Sequence, residues 1–204
     1  MGRPVEGWVW GAAMNVLGGG LSKAGHNEDA LTVREAELSA YRRLGTPKEH
    51  ILAVQSNIAV TYYKLGQPEQ ASRIERDVYS GRLKLHGEEH CATLLAANNY
   101  ASSLLTQERF EEAKSLLRKT MPVARRVLGE CHDTTLKTRW ICAASLYQDD
   151  CATLDDLREA VTTLEDAGRI ARRVLGSAHP TTGGIEDDLR DARAALCARE
   201  TPPY

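Results

Sequence analysis

Apolar side chains recur along most of this chain at three- and four-residue steps, the period of a helix with one buried face. Over residues 27–44 the repeating positions are Ala30, Val33, Glu37 and Ala40, accompanied by Leu31, Leu38 and Tyr41. Asn27 is placed to cap this helix, Glu28 and Asp29 suit its first turn, and Gly45 and Pro47 end it. Residues 50–65 carry the stripe Ile51, Val54, Ile58 and Tyr62, and the turn Gly66-Gln67-Pro68 follows. Residues 69–85 return with Ala71, Ile74, Val78 and Leu85 facing inward. The same alternation of helix and return helix predicts 91–106 and 109–128, then 132–148 and a partner from 154 or 157 to 175, and a last helix at 181–199. Residues 8–23 are apolar but carry Gly18, Gly19 and Gly20; each interior glycine costs about 1 kcal/mol relative to alanine, so a weak, kinked or frayed helix is expected there. Small residues in it are read as sites where a neighbour packs closely. No segment alternates with period two, so the chain is expected to be all-α.

The helices come in copies. A junction reads Leu-Gly-Glu-Cys-His-Asp-Thr-Thr-Leu at 128–136, Leu-Gly-Ser-Ala-His-Pro-Thr-Thr at 175–182 and His-Gly-Glu-Glu-His-Cys-Ala-Thr-Leu at 86–94, with a looser copy at 44–50. Its glycines, Gly45, Gly87, Gly129 and Gly176, are spaced by 42, 42 and 47 residues. Ala59, Ala101 and Ala143 recur in the same register, as do Ala71, Ala113 and Ala160, one alanine on each helix of a pair. The hexapeptide at 124–129 is repeated unchanged at 171–176. The five extra residues of the later copy are expected between Asp149 and Glu159, in the turn between its two helices, where an insertion disturbs packing least. A helix pair of this size cannot bury its apolar face alone, so successive pairs should stack into a solenoid. The units run over about 11–49, 50–89, 90–131 and 132–178, within an array at 25–199. A degenerate first helix lies in 1–24, a capping helix at 180–199 and a tail at 200–204.

These motifs resemble tetratricopeptide repeats, specifically the 42-residue kind of kinesin light chains. The resemblance rests on Asn98-Asn99-Tyr100-Ala101, on Arg109-Phe110-Glu111-Glu112-Ala113, and on the run from Arg125 through Leu128-Gly129 to His132. A second pass reads Ser56-Asn57-Ile58-Ala59, then Gly66-Gln67-Pro68-Glu69-Gln70-Ala71. The pattern is broken by Trp140-Ile141 where the Asn pair would stand, and by Asn15-Val16 with the three glycines of the first unit. The resemblance implies a right-handed α-solenoid of stacked antiparallel helix pairs whose first helices line a concave groove for a peptide or partner protein. It places Ala53, Ser56, Asn57, Val60, Tyr63 and Lys64 there from one copy, and Leu95, Asn98, Asn99, Ser102, Leu105 and Thr106 from the next. Lys137, Trp140, Ile141, Ala144, Tyr147 and Gln148 follow from the third. Asparagine amides can clamp a peptide backbone, and Tyr63, Trp140 and Tyr147 can anchor apolar side chains. The alternatives are that Asn57 and Asn99 bond neighbouring helices and that Trp140 is core. The whole array would then be a structural or oligomerisation module, as in a cargo adaptor, with its groove empty or filled by its own termini. No heptad coiled coil supports a motor-subunit role.

Composition narrows the rest. A formal charge of -2 gives no basic excess for a nucleic-acid backbone. Five cysteines, Cys91, Cys131, Cys142, Cys151 and Cys197, form no C-x-x-C pair and read as reduced thiols of a cytoplasmic protein. No run is long enough to span a membrane, and residues 8–17 lack the basic leader and cleavage site of a secretion signal. His90-Cys91 and Cys131-His132 stand at equivalent junctions. The histidine recurs without cysteine at His50 and His179, so a structural junction is expected rather than zinc. Asp149, Asp150, Asp155 and Asp156 lack the glycine and final glutamate of a calcium loop and read as a solvated, helix-capping turn. No catalytic motif or phosphate loop is present, so neither an enzyme nor a cofactor is expected.

Overall fold

A computed structural model describes residues 4–200, with side chains from residue 10 onward. The tail expected at 200–204 falls outside the described residues after Glu200. Nine helices and no strand occur among the described residues: α1 (Pro4–Lys23), α2 (Asn27–Arg43), α3 (Lys48–Lys64), α4 (Pro68–His86), α5 (Cys91–Thr106), α6 (Phe110–Leu128), α7 (Asp133–Tyr147), α8 (Leu154–Val174) and α9 (Pro180–Glu200). The fold is all-α, and the predicted helices appear within three residues of their expected ends, apart from the start of α1.

The chain divides into two compact units, one ending at Leu85 and one beginning at His86. In the first, α1 packs on α2 and α2 on α3. Leu52 of α3 seats against Gly81 of α4, where an added Cβ would lie 2.7 Å from its methyl. α1 is a continuous helix despite its glycines. Gly11 lies under Tyr41 of α2, and a Cβ there would come 1.9 Å from the phenol oxygen. Gly18 likewise lies against Arg34, whereas Gly19 and Gly20 meet no neighbour within 4 Å. Two of the glycines therefore allow a close helix approach that offsets their low helix propensity.

In the second unit each helix packs on the next from α5 to α9. Its core joins Leu136, Ala143 and Leu146 of α7, Ala160, Leu164, Ala167 and Ala171 of α8, and Ile185 and Ala192 of α9. Each fully buried leucine contributes roughly 1.5–3 kcal/mol. The recurring alanines Ala59, Ala101, Ala143, Ala71, Ala113 and Ala160 are all buried.

The junctions explain the repeat. Gly45, Gly87, Gly129 and Gly176 all have positive φ, between 63° and 91°. After α2 the chain closes with Thr46 N–H donating to Tyr41 O at 3.0 Å and Gly45 N–H to Arg42 O at 3.4 Å, the paired bonds of a helix stop built on a left-handed residue. Histidine then starts the next helix. The Nδ1 atoms of His90, His132 and His179 accept the backbone N–H two residues on, from Ala92, Thr134 and Thr181, at 3.1–3.2 Å.

Three local expectations are corrected. Asn27 is not a cap: the capping position of α2 is His26, without a side-chain bond, and the Asn27 side chain instead accepts from Ser22 Oγ at 3.4 Å. Leu85 is exposed. It lies one turn past Gly81, level with the start of α3, where the apolar stripe has not yet begun. The insertion is shared, because the α7–α8 turn is longer than the α5–α6 turn and α8 itself has 21 residues against 19 in α6.

Candidate protein-binding surfaces

The first helices of the copies, α3, α5 and α7, carry the predicted site residues. A 100° step per residue sets neighbouring positions on different sides of a helix, and the structure separates them accordingly.

The position held by Ser56, Asn98 and Trp140 is turned toward other helices. Ser56 Oγ bonds Glu75 of α4 at 3.3 Å. Asn98 is only 2% exposed; its amide donates to Thr134 O of α7 at 3.0 Å and its carbonyl accepts from Thr138 Oγ1 at 2.9 Å. Asn98 is consumed in packing and leaves the set of groups a ligand can reach. Trp140 is half-buried, and its indole N–H donates to Asp188 of α9 at 2.8 Å. Its ring lies over Gly184, where a Cβ would stand 2.2 Å from it.

The adjoining positions are open in the first unit. Val60 and Tyr63 of α3 are 44% and 55% exposed, and Ala53 and Lys64 also face solvent. Half-buried Asn57 donates to Asn15 of α1 at 3.2 Å, and Lys64 Nζ to Ser22 Oγ at 2.8 Å. Both bonds join residues 42 apart, a register visible in the sequence that the site reading did not use. They tie α1 to α3 and leave the apolar Val60 and Tyr63 beside a rim of amides and a cation. Beneath them Arg34 of α2, itself buried, donates to Asn57 O at 3.0 Å and to Thr61 Oγ1, so the backbone under the surface is fixed from below.

In the second unit Leu95, Ser102 and Thr106 of α5 are exposed, Asn99 and Leu105 half-buried. Lys137 of α7 is half-buried and paired with Asp133 at 2.7 Å. Further along α7 the surface is closed by α9. Ala144 is buried, Ile141 and Tyr147 are half-buried, and Gln148 donates to the Tyr147 hydroxyl at 3.2 Å. The Asp188 carboxylate lies near the Tyr147 phenol. Burial, with the Asp188 and Asp191 carboxylates nearby, pushes the Tyr147 phenol up to about 12. Burial likewise raises the Asp188 carboxyl above the ordinary carboxylate range, against the lowering effect of the bond from Trp140 and of the nearby Tyr147 phenol. The α9 carboxylate that organises this end carried no signal in the repeat motifs.

The remaining candidates fall to structural roles. The junction histidines use Nδ1 for capping, and no group of three or more metal-binding side chains occurs among the described residues. In the acidic turn, Asp149 accepts from Lys114 Nζ at 2.8 Å and from Cys151 N–H at 2.9 Å. Asp156 forms a reciprocal capping box with Thr153. All five cysteines are free, and no helix among the described residues is long and apolar enough to cross a membrane.

Residues 51–90 and 93–133 each match the family model of the tetratricopeptide repeat, so the chain carries these repeats. No curated protein matches it. Among solved structures it shares its fold with a Podosopora anserina protein described as a kinesin light chain with nearly identical TPR-like repeats. That structure is 22% identical, covers 93% of this chain and 88% of the other, and has a TM-score of 0.71. A point-substituted form of the same protein is 21% identical over 93% and 87%, at 0.74. BtubC (BKLC) from P. vanneervenii is 16% identical over 96% and 85%, at 0.65. The fold is thus that of kinesin light chain-type repeat structures, an architecture that generally serves as a scaffold for protein interaction.

Proposed function

We propose that this chain of tetratricopeptide repeats is a non-enzymatic scaffold of the cytoplasm that binds protein partners through the open faces of α3 and α5. The observation that carries the reading is the exposure of Val60 and Tyr63 beside the bonded Asn57–Asn15 and Lys64–Ser22 pairs. An exposed tyrosine and valine on a helix braced from two sides give a rigid apolar anchor point with polar groups at its edge, the make-up of a binding hot spot. On α5, Leu95 and Ser102 with half-buried Asn99 form a second such surface. A partner segment lays an apolar side chain against Tyr63 while its backbone meets the amides. The lining carries few ionisable groups, which suits an uncharged or mildly acidic segment. Free thiols throughout support the cytoplasmic assignment.

The third copy supports a structural role for its own part of the array. Trp140 and Tyr147 are engaged by Asp188, so this end serves to hold α9.

The test is a peptide-display selection on the wild-type chain, followed by affinity measurement against a Val60→Ala, Tyr63→Ala variant. Both side chains are exposed, so the variant keeps its helix content. Loss of an aromatic anchor and its neighbour weakens the selected peptides by about 2 kcal/mol or more, over 20-fold. Peptides that bind wild type and variant equally would remove this surface from the account.

A further inference from the structure

The arginine pair near the end of α6 recurs near the end of α8, within the repeated hexapeptide, but its carboxylate partners do not. Arg125 pairs with Glu130 at 3.1 Å and Arg126 with Glu89 at 2.6 Å. Both carboxylates belong to junctions, and both are replaced one copy later: Ser177 stands in register with Glu130, and Cys131 with Glu89. Arg172 gains a new partner, Glu186 of α9, at 2.6 Å. Arg173 forms no ion pair among the described residues. Arg169, one turn before it on the same stripe of α8, is in surplus for another reason. It reaches Asp166 at 3.1 Å, but that carboxylate already accepts from buried Arg139 of α7 at 2.5 Å. Arg139 lies 3.6 Å from Glu130 as well, so Arg125, Arg139 and Arg169 share two carboxylates. Arg169 is the most exposed of the three, at 77%. Arg169 and Arg173 border an open hollow of about 390 Å³ between α8 and α9. Buried Gly168 and half-buried Leu189 line its apolar part, and the pairs Arg172–Glu186 and Arg193–Glu165 cross from one helix to the other.

We propose that this hollow binds a phosphoserine or phosphothreonine of a partner protein, with the phosphate held between Arg169 and Arg173. Two surplus guanidiniums about 6 Å apart on one helix stripe match a single group that carries close to two negative charges and three acceptor oxygens. Each planar fork can offer it two parallel N–H bonds. A carboxylate fits less well. It brings one charge and adds only another exposed ion pair, of the kind Arg172 and Arg193 already make and which is worth little. Gly168 and Leu189 give an apolar neighbour of the phosphorylated residue a surface to rest on. The site lies on α8 and α9 and draws on no residue of α3 or α5.

The test passes a peptide library with a fixed central phosphoserine over the immobilised full chain, beside the same library with serine or glutamate at the centre. Retained sequences are then measured by fluorescence polarisation, and inorganic phosphate by calorimetric titration. Phosphoserine peptides bind about 10-fold or more tightly than their serine and glutamate counterparts and than inorganic phosphate. An Arg169→Gln, Arg173→Gln variant, altered only at exposed positions, keeps its circular dichroism and loses about 10-fold or more in affinity. Arg169→Lys, Arg173→Lys keeps the charge without the forked bonds and falls between the two. Arg76→Gln on α4 and the Val60→Ala, Tyr63→Ala variant bind as wild type does. Retention that does not depend on the phosphate, glutamate peptides or inorganic phosphate bound as tightly as phosphopeptides, or a double glutamine variant that binds as wild type, each overturns the proposal.

Discussion

Single residues at the helix ends set the repeat, and their roles differ in how far the sequence discloses them. Spacing alone marked Gly45, Gly87, Gly129 and Gly176 and the histidine after each. What it could not show is that the glycine supplies a positive φ while His90, His132 and His179 cap the following helix through Nδ1. His50 has another role: α3 begins at Lys48, so this histidine lies inside the helix, edge-on to Tyr41. The turns after α1, α3 and α5 repeat the left-handed geometry, the last without a glycine, whereas no residue between α7 and α8 has positive φ. Gly66 ends α3 at φ 72°, and in register with it Glu108 ends α5 at φ 57°, its N–H and that of Arg109 closing the helix at 2.9 Å. Holding an L-residue there costs roughly 1–2 kcal/mol, and glycine avoids that strain at some entropic cost in the unfolded chain. Glu108→Gly should therefore stabilise the chain by roughly 0.5–1 kcal/mol, a rise in Tm of about 1–4 °C by calorimetry. An unchanged or lower Tm would show that the left-handed turn is not strained by Glu108.

Among elements, α9 and α1 are where periodicity said least. The repeat motifs identified α7 and α8 as a pair, and α9 as a cap. They could not show that the Trp140 and Tyr147 groups assigned to a groove meet Asp188 instead, because a helix period fixes which residues share a face and not what lies across from it. That contact has a pH signature. Burial raises the Asp188 carboxyl, so folding favours its protonated form; its contribution is present at acid pH and is lost as pH rises through the raised value. Asp149, Asp156 and Asp166 run the other way. Bonds from Lys114, from Thr153 and from Arg139 hold them below the ordinary range, so their contribution is present above it and is lost on acidification. Asp188→Asn keeps an acceptor for Trp140 and removes the titration. In urea titrations the variant should be the more stable at pH 7, with its advantage shrinking as pH falls toward 4. A difference that stays constant across that range would mean that Asp188 is not penalised by burial.

For the whole molecule, the copies share a core and differ at the surface. Alanines recur at the buried positions of the three pairs from α3 to α8, which is why the fold was legible from spacing. The exposed positions diverge: Val60, Ser102 and Ala144 are equivalent in register, yet the first two face solvent and the third is buried. The reading of all three copies as one lining therefore held too much in common between them. Asn98 and Trp140 went astray for the same reason, since they stand one residue, or 100°, from the open side. The partner-binding account thus rests on α3 and α5. Its most direct measurement is site-specific photo-crosslinking of a display-selected peptide, with the photoreactive residue placed at Tyr63 of α3 in one protein and at Arg76, an exposed position on α4, in another. The account predicts a crosslink from position 63, competed away by unlabelled peptide, and none from position 76. A competed crosslink from position 76 alone would place the partner on the return helix and contradict it.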